Sequence, residues 1–148
     1  MLSRREFLSS SLALTGLVIL SSCRHTVDVG SPVLSFRQGE ASCGAGADDA
    51  QVQAGPGVIR FSGRMTMPDP CHQLDAMLET KNAELIVHIS AIAPKPSDGF
   101  CIKCIGQAPY DGEIVSVRPG QYTVRIRHGE LEVKQATVTV ARLTSSSP

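Results

Sequence analysis

The sequence predicts an all-β domain, a sandwich of about seven short strands stapled by disulfides. Three observations point there. Apolar and polar residues alternate along Gln121 to His128, the period of a strand with one buried face. Turn signals rich in Pro, Gly and Asp punctuate the chain at roughly 8–12-residue spacing, the rhythm of a sandwich. Four cysteines, Cys43, Cys71, Cys101 and Cys104, stand in the body of the chain, an even number suited to two bridges. With no Trp and only 4% aromatic residues, the core is expected to be aliphatic.

Ser31 to Arg37 is a weak candidate strand. Asp48-Asp49 follows a Gly-Ala-Gly run and reads as a solvated loop, since two carboxylates fall short of a calcium ligand set. Val58 to Met65 is a strand, stopped by Pro68-Asp69-Pro70. Leu74 to Glu84 fits two periods: Leu74, Met77, Leu78 and Lys81 form a helical stripe, while Leu74, Ala76 and Leu78 form a strand face. Strand is the better assignment, because its neighbours are strands with turn-like joints. Glu84 to Ile92 is rich in β-branched residues and ends at Pro94-Lys95-Pro96. Gly112 to Val117 is a second weak candidate. Pro119-Gly120 opens the segment Gln121–His128, with Tyr122, Val124 and Ile126 on one face and Thr123, Arg125 and Arg127 on the other. His128-Gly129-Glu130 reads as a hairpin connection, and the chain returns through Leu131, Val133 and Thr137–Val140. The size and strand spacing match an immunoglobulin-like sandwich.

Ahead of this domain, residues 1–22 have the charged start, apolar middle and small-residue end of a signal peptide. The apolar run Leu12–Leu20 is about half of the ~20 residues that span a bilayer. Ser3-Arg4-Arg5-Glu6-Phe7-Leu8 resembles the twin-arginine export motif, with Arg4 and Arg5 as the pair and Ser9 where a Lys is usual. Leu20-Ser21-Ser22-Cys23 resembles a lipobox, which implies a diacylglyceryl group on Cys23 and cleavage before it. Two acyl chains suffice for stable anchoring where one is marginal. The expected organisation is a signal peptide at 1–22, a lipidated tether at 23–30, the β-sandwich at 31–142 and a disordered tail at 143–148. The expected location is the extracytoplasmic face of the cell membrane.

Cleavage removes Arg4, Arg5 and Glu6 from a formally neutral chain, leaving a charge of −1. That balance lacks the basic stripe of a nucleic-acid binder. If Cys101 and Cys104 lie on a strand, they sit about 10 Å apart on opposite faces, beyond the roughly 7 Å limit for a bridge. Each then needs a distant partner. A local Cys101–Cys104 bond requires a turn within GFCIKCIG.

The C-x-x-C spacing of Cys101 and Cys104 also fits redox and zinc chemistry. A redox centre wants it at a helix start in a βαβ setting, which the flanks do not offer. Zinc could use Cys101, Cys104 and Cys71 with Cys43 or His72, against the habit of structural sites to use two close pairs. His25, His72, His88 and His128 are scattered, and Met65-Thr66-Met67 is a lone thioether pair that reads as packing rather than a copper site. His88 shares parity with Ile86 and Ile92 and reads as a core or edge residue. Arg125, Arg127 and Lys134 read as a solvated face. The chain has no G-x-S-x-G elbow, no H-E-x-x-H and no P-loop, and no residue carries a catalytic label.

Three stretches, SCGAGADDAQV, GRMTMPDPCHQL and CIKCIG…YDGEI…PGQYTVRIRHGEL, resemble a loose family of uncharacterised small secreted or lipid-anchored β-domain proteins from archaea and bacteria. Simpler members keep only the cysteines matching Cys71 and Cys101. The resemblance therefore implies a basic Cys71–Cys101 bridge with Cys43–Cys104 added; it implies no activity. The expectation is a lipoprotein acting as a non-catalytic binding or structural module, with no cofactor, a membrane contact through Cys23, an unknown protein partner and no nucleic acid. The alternatives are a zinc or redox protein using Cys71, Cys101 and Cys104, and an envelope protease inhibitor presenting Pro94 to Gly99.

Overall fold

A computed structural model describes residues 30–144; Arg4, Arg5, Cys23, His25 and the last four residues lie outside the described residues. The strands are β1 (Val33–Gln38), β2 (Ser42–Cys43), β3 (Asp49–Gly55), β4 (Val58–Met67), β5 (Gln73–Lys81), β6 (Glu84–Ile92), β7 (Gly106–Val115), β8 (Gly120–His128) and β9 (Leu131–Val140). One sheet has the order β1-β7-β4-β3, with β2 also on β7, and the other the order β5-β6-β8-β9. The β6–β8 pairing is parallel, bridged in sequence by β7 of the opposite sheet. The remaining pairings are antiparallel.

The disulfide-stapled sandwich is as the sequence predicts, with nine strands among the described residues in place of about seven. The two additions are β2 and β3. In β3 only Ala50 and Val52 alternate toward the core, too little to stand out as an apolar pattern. β2 is two residues long and continues the line of β1 along the edge of β7. The weak candidate at Gly112–Val117 is the second half of β7. Its first half turns Gly106 and Ala108 inward, which carry little hydrophobic signal. The ambiguous segment is strand β5, in which Leu74, Ala76 and Leu78 face the core while Met77 is 67% exposed. A helical stripe would have buried Met77.

Ile59, Leu85, Val87, Ile89, Ile114, Val124 and Ile126 are fully buried, so the core is aliphatic. Each fully buried side chain of this kind contributes about 1.5–3 kcal/mol. Met65 and Met67 are in that core, as packing residues. Phe36, Phe61 and Tyr110 form an aromatic group toward one edge. The β3–β4 hairpin turns through Pro56-Gly57, where φ of +68° at Gly57 demands a glycine.

The strand registers define two ends. β7 runs from Gly106, opposite Cys43 and Met67, to Val115, opposite Val33 and Val58. The chain therefore enters at Gly30 beside the lower end. Hydrogen bonds from Val117 N–H to Gly57 C=O and from Gly57 N–H to Ala141 C=O hold the exit from β9 at that same end. Ten residues of β7 at ~3.3 Å each separate it from the apical end by about 30 Å. The apical end carries the β4–β5 joint at 68–72, the loop 93–105, the β8–β9 hairpin and the segment leading into β3.

Candidate functional site

The disulfides converge at the apical end. Cys71 pairs with Cys101 and Cys43 with Cys104, with Cα separations of 6.0 and 5.7 Å. These are the two bridges that the family resemblance implies. The premise that Cys101 and Cys104 lie on a strand does not hold. Both sit in the irregular loop 93–105, where Cys104 N–H bonds back to Ile102 C=O. The bridges diverge because their partners differ in place, Cys71 on the β4–β5 joint and Cys43 on edge strand β2.

The joint is built around Asp69. Its Oδ1 accepts the Cys71 N–H at 2.9 Å and lies 2.8 Å from His72 Nδ1. The His72 hydrogen bond, opposed by desolvation and helped by the Cys71 N–H, holds the Asp69 carboxyl below the usual carboxylate range. Gly106 allows this joint to pack onto the start of β7, since a Cβ there would lie 2.5 Å from the Asp69 carbonyl. Asp69, Cys71 and Cys101 bring ligand-type atoms within 4.8 Å of one another. With both sulfurs bridged, that trio offers a metal one carboxylate and no thiolate. His72 is engaged with Asp69, and Cys43 and Cys104 are bridged to each other.

Around the bridged Cys101 and Cys104 the loop exposes apolar side chains: Phe100 at 94%, Ile102 at 64% and Ile105 at 54%. Pro94–Gly99, the segment expected as an inhibitory loop, contains a 3₁₀ turn at Pro96–Asp98, closed by the Asp98 carboxylate accepting the Lys95 N–H at 2.8 Å. Past Gly99 the chain changes character. Among the described residues, no backbone hydrogen bond engages Phe100 or the N–H of Cys101. A disulfide-braced frame thus holds an apolar segment whose main chain is unpaired at Phe100 and at the Cys101 N–H.

Below the loop lies a group that the sequence did not reveal. The side chain of His128, at the end of β8, is 2% exposed; its Nδ1 is 2.7 Å from Asp48 Oδ2 and its Nε2 is 2.8 Å from the Tyr110 hydroxyl. Asp48 is therefore no free loop residue: it also accepts the Thr66 N–H at 2.7 Å, and Asp49 opens β3. Burial works to raise the Asp48 pKa, but hydrogen bonds from His128 and Thr66 outweigh it and hold the carboxyl below its ordinary range. The Tyr110 hydroxyl thus sits between His128 Nε2 and the Asp49 C=O, which accepts from it at 3.3 Å. Burial, reinforced by the nearby Asp49 and Asp48 charges, pushes the Tyr110 pKa up. Gly63 opposite makes the space, because a Cβ there would lie 2.5 Å from the Tyr110 hydroxyl oxygen. Tyr110 is 3% exposed and His128 5%, so of the trio only the Asp48 carboxylate is in part open to solvent. The trio ties the two sheets together. One signal pointed to it: His128 shares strand parity with Tyr122, Val124 and Ile126.

Other polar residues pair across strands, though Arg127 and Lys134 of the basic face enter no ion pair among the described residues. His88 is half-buried with Nε2 2.9 Å from Glu79, and Arg125 is bracketed by Glu84 and Glu132. Arg37–Asp111, Arg60–Glu113 and Arg64–Asp49 line the outer face of the first sheet. The outer face of the first sheet is thus charge-compensated by these three pairs. Compared with family models, curated proteins and solved structures, the chain matches none.

Proposed function

We propose that this chain is a membrane-anchored lipoprotein of the extracytoplasmic face, exported through its Arg4-Arg5 signal and tethered at Cys23. Its sandwich is a non-catalytic binding module, and the loop 93–105 is where a protein partner docks. The observation that carries this reading is Phe100, 94% exposed on a loop fixed by two disulfides. Rigid exposed aromatics are the residues from which interface hot spots are made, and fixing the backbone beforehand lowers the entropy lost on docking.

Position supports it as well. The tether enters at the lower end and the loop lies about 30 Å away along the strands. The ten steps from Cys23 to Val33 reach at most about 36 Å. Bringing the loop to the anchoring bilayer would require a nearly full stretch of that segment, which favours a loop that faces away from it. Two bridges are what an oxidising compartment permits. The zinc and redox readings require thiolates that the two bridges engage.

The test places a photo-crosslinking residue at Phe100, Ile102 or Glu113 in cells, with the intact mass of the mature protein taken in parallel. The expected result is a mass that begins at Cys23 with a diacylglyceryl group and is four hydrogens short of the reduced chain. Discrete adducts should form from positions 100 and 102, and none from 113 on the outer face of the first sheet. Equal labelling from all three positions, or free thiols in the native material, would remove the proposal.

A further inference from the structure

We infer that the partner of the apical loop is an endopeptidase with a deep apolar primary pocket, and that the loop blocks it with Phe100 in that pocket. This rests on the reading of the loop as the docking site. Three features at one place carry it. Phe100 is the most exposed large apolar side chain of the described residues. Its own N–H and C=O and the Cys101 N–H have no backbone hydrogen-bond partner there, so they are free to pair with an extended-peptide cleft as an added strand does. And the bond after Phe100 leads directly into Cys101, held to the joint by Cys71, with Cys104 held to β2 three residues on.

A peptidase cleft reads a substrate through main-chain hydrogen bonds plus one side-chain pocket. A flexible loop satisfying both would be cut and released. A loop already fixed in place binds without the ordering entropy and keeps its ends near one another. Here a cut after Phe100 would leave the new amino end of Cys101 bridged to Cys71. The turn at Pro96–Asp98 and the hydrogen bond between Gly44 N–H and Ile105 C=O brace the flanks. The inhibitory segment is thus Gly99–Lys103, just beyond the Pro94–Gly99 stretch that the sequence suggests. Lys95 and Lys103 flank Phe100 and enter no ion pair among the described residues. They would meet an acidic rim around such a pocket.

The full-length protein, purified in detergent, is assayed against chymotrypsin and subtilisin, whose primary pockets are apolar, and against trypsin, whose pocket is acidic. The expected result is inhibition of an apolar-pocket enzyme at or below about micromolar concentration, with trypsin unaffected. Phe100→Arg should weaken that inhibition by about 100-fold and create inhibition of trypsin, because the pocket residue alone is exchanged. Position 100 is so exposed that the urea midpoint of the variant should match the parent, which separates loss of binding from loss of fold. No inhibition of chymotrypsin or subtilisin, or rapid cutting after Phe100 with return of peptidase activity, would overturn the inference. If crosslinks from position 100 persist without peptidase inhibition, only the peptidase assignment falls. If the crosslinks also fail, the docking reading falls with it.

Discussion

At the scale of single residues, the buried polar group decides how the two sheets sit on each other. Gly63 is the clearest case. Any side chain there meets the Asp49 carbonyl and the Tyr110 hydroxyl, and the first contact is backbone that cannot swing aside. Gly63→Ala should therefore destabilise the domain by about 3 kcal/mol, as overpacking does. Urea unfolding would show this as a midpoint lowered by about 1 M or more; an unchanged midpoint would mean that the Tyr110–His128 contact is dispensable. Asp48→Asn probes the charge with the shape kept. Its hydrogen bonds to His128 and Thr66 become neutral ones, and charge-assisted bonds are roughly twice as strong. A loss of about 2 kcal/mol in the same urea assay is expected.

At the scale of elements, the two bridges act on different loops of the unfolded chain. Cys71–Cys101 closes a separation of 30 residues and Cys43–Cys104 one of 61. On the chain-entropy account these are worth about 3.6 and 4.3 kcal/mol. Replacing each pair with serines should reproduce that order, the Cys43/Cys104 variant being less stable by about 0.6 kcal/mol. The reverse order would show that the bridge onto the β4–β5 joint stabilises through native contacts around Asp69. The elements also show what the sequence could reveal. β4, β6 and the β8–β9 hairpin were legible because large β-branched residues alternate between Pro and Gly stops. β3 and the first half of β7 were not, because Ala50, Gly106 and Ala108 fill their inward positions with almost no side chain. The cysteines were legible as two bridges. Phe100 gave no periodic signal, since its role comes from a loop with no repeat. Asp48 and His128 lie 80 residues apart, and no local pattern joins them.

At the scale of the whole molecule, the two ends of the described stretch, Gly30 and the exit from β9, share one end of the sandwich while the bridges, the polar trio and the exposed apolar loop share the other. The titration of the fold follows from what is held there. Asp48 and Asp69, together with Glu79 beside Lys81 and His88, have pKa values lowered on folding. The unfolded chain then binds protons more readily than the folded one in the acid range, so stability rises with pH there. That contribution is fully present above the ordinary carboxylate values near about 4. It is lost as the pH falls through the lower folded values. Tyr110 is shifted the other way, its pKa raised on folding. Its contribution is fully present below the ordinary phenol value of about 10 and is lost as the pH rises toward the higher folded value. Urea midpoints measured from acid to alkaline pH should therefore form a plateau with two falling limbs. Asp48→Asn should flatten part of the acid limb, and Tyr110→Phe should lower the plateau while flattening the alkaline limb. An alkaline limb unchanged in Tyr110→Phe would mean that other groups set it and that the phenol titrates alike in the folded and unfolded chains.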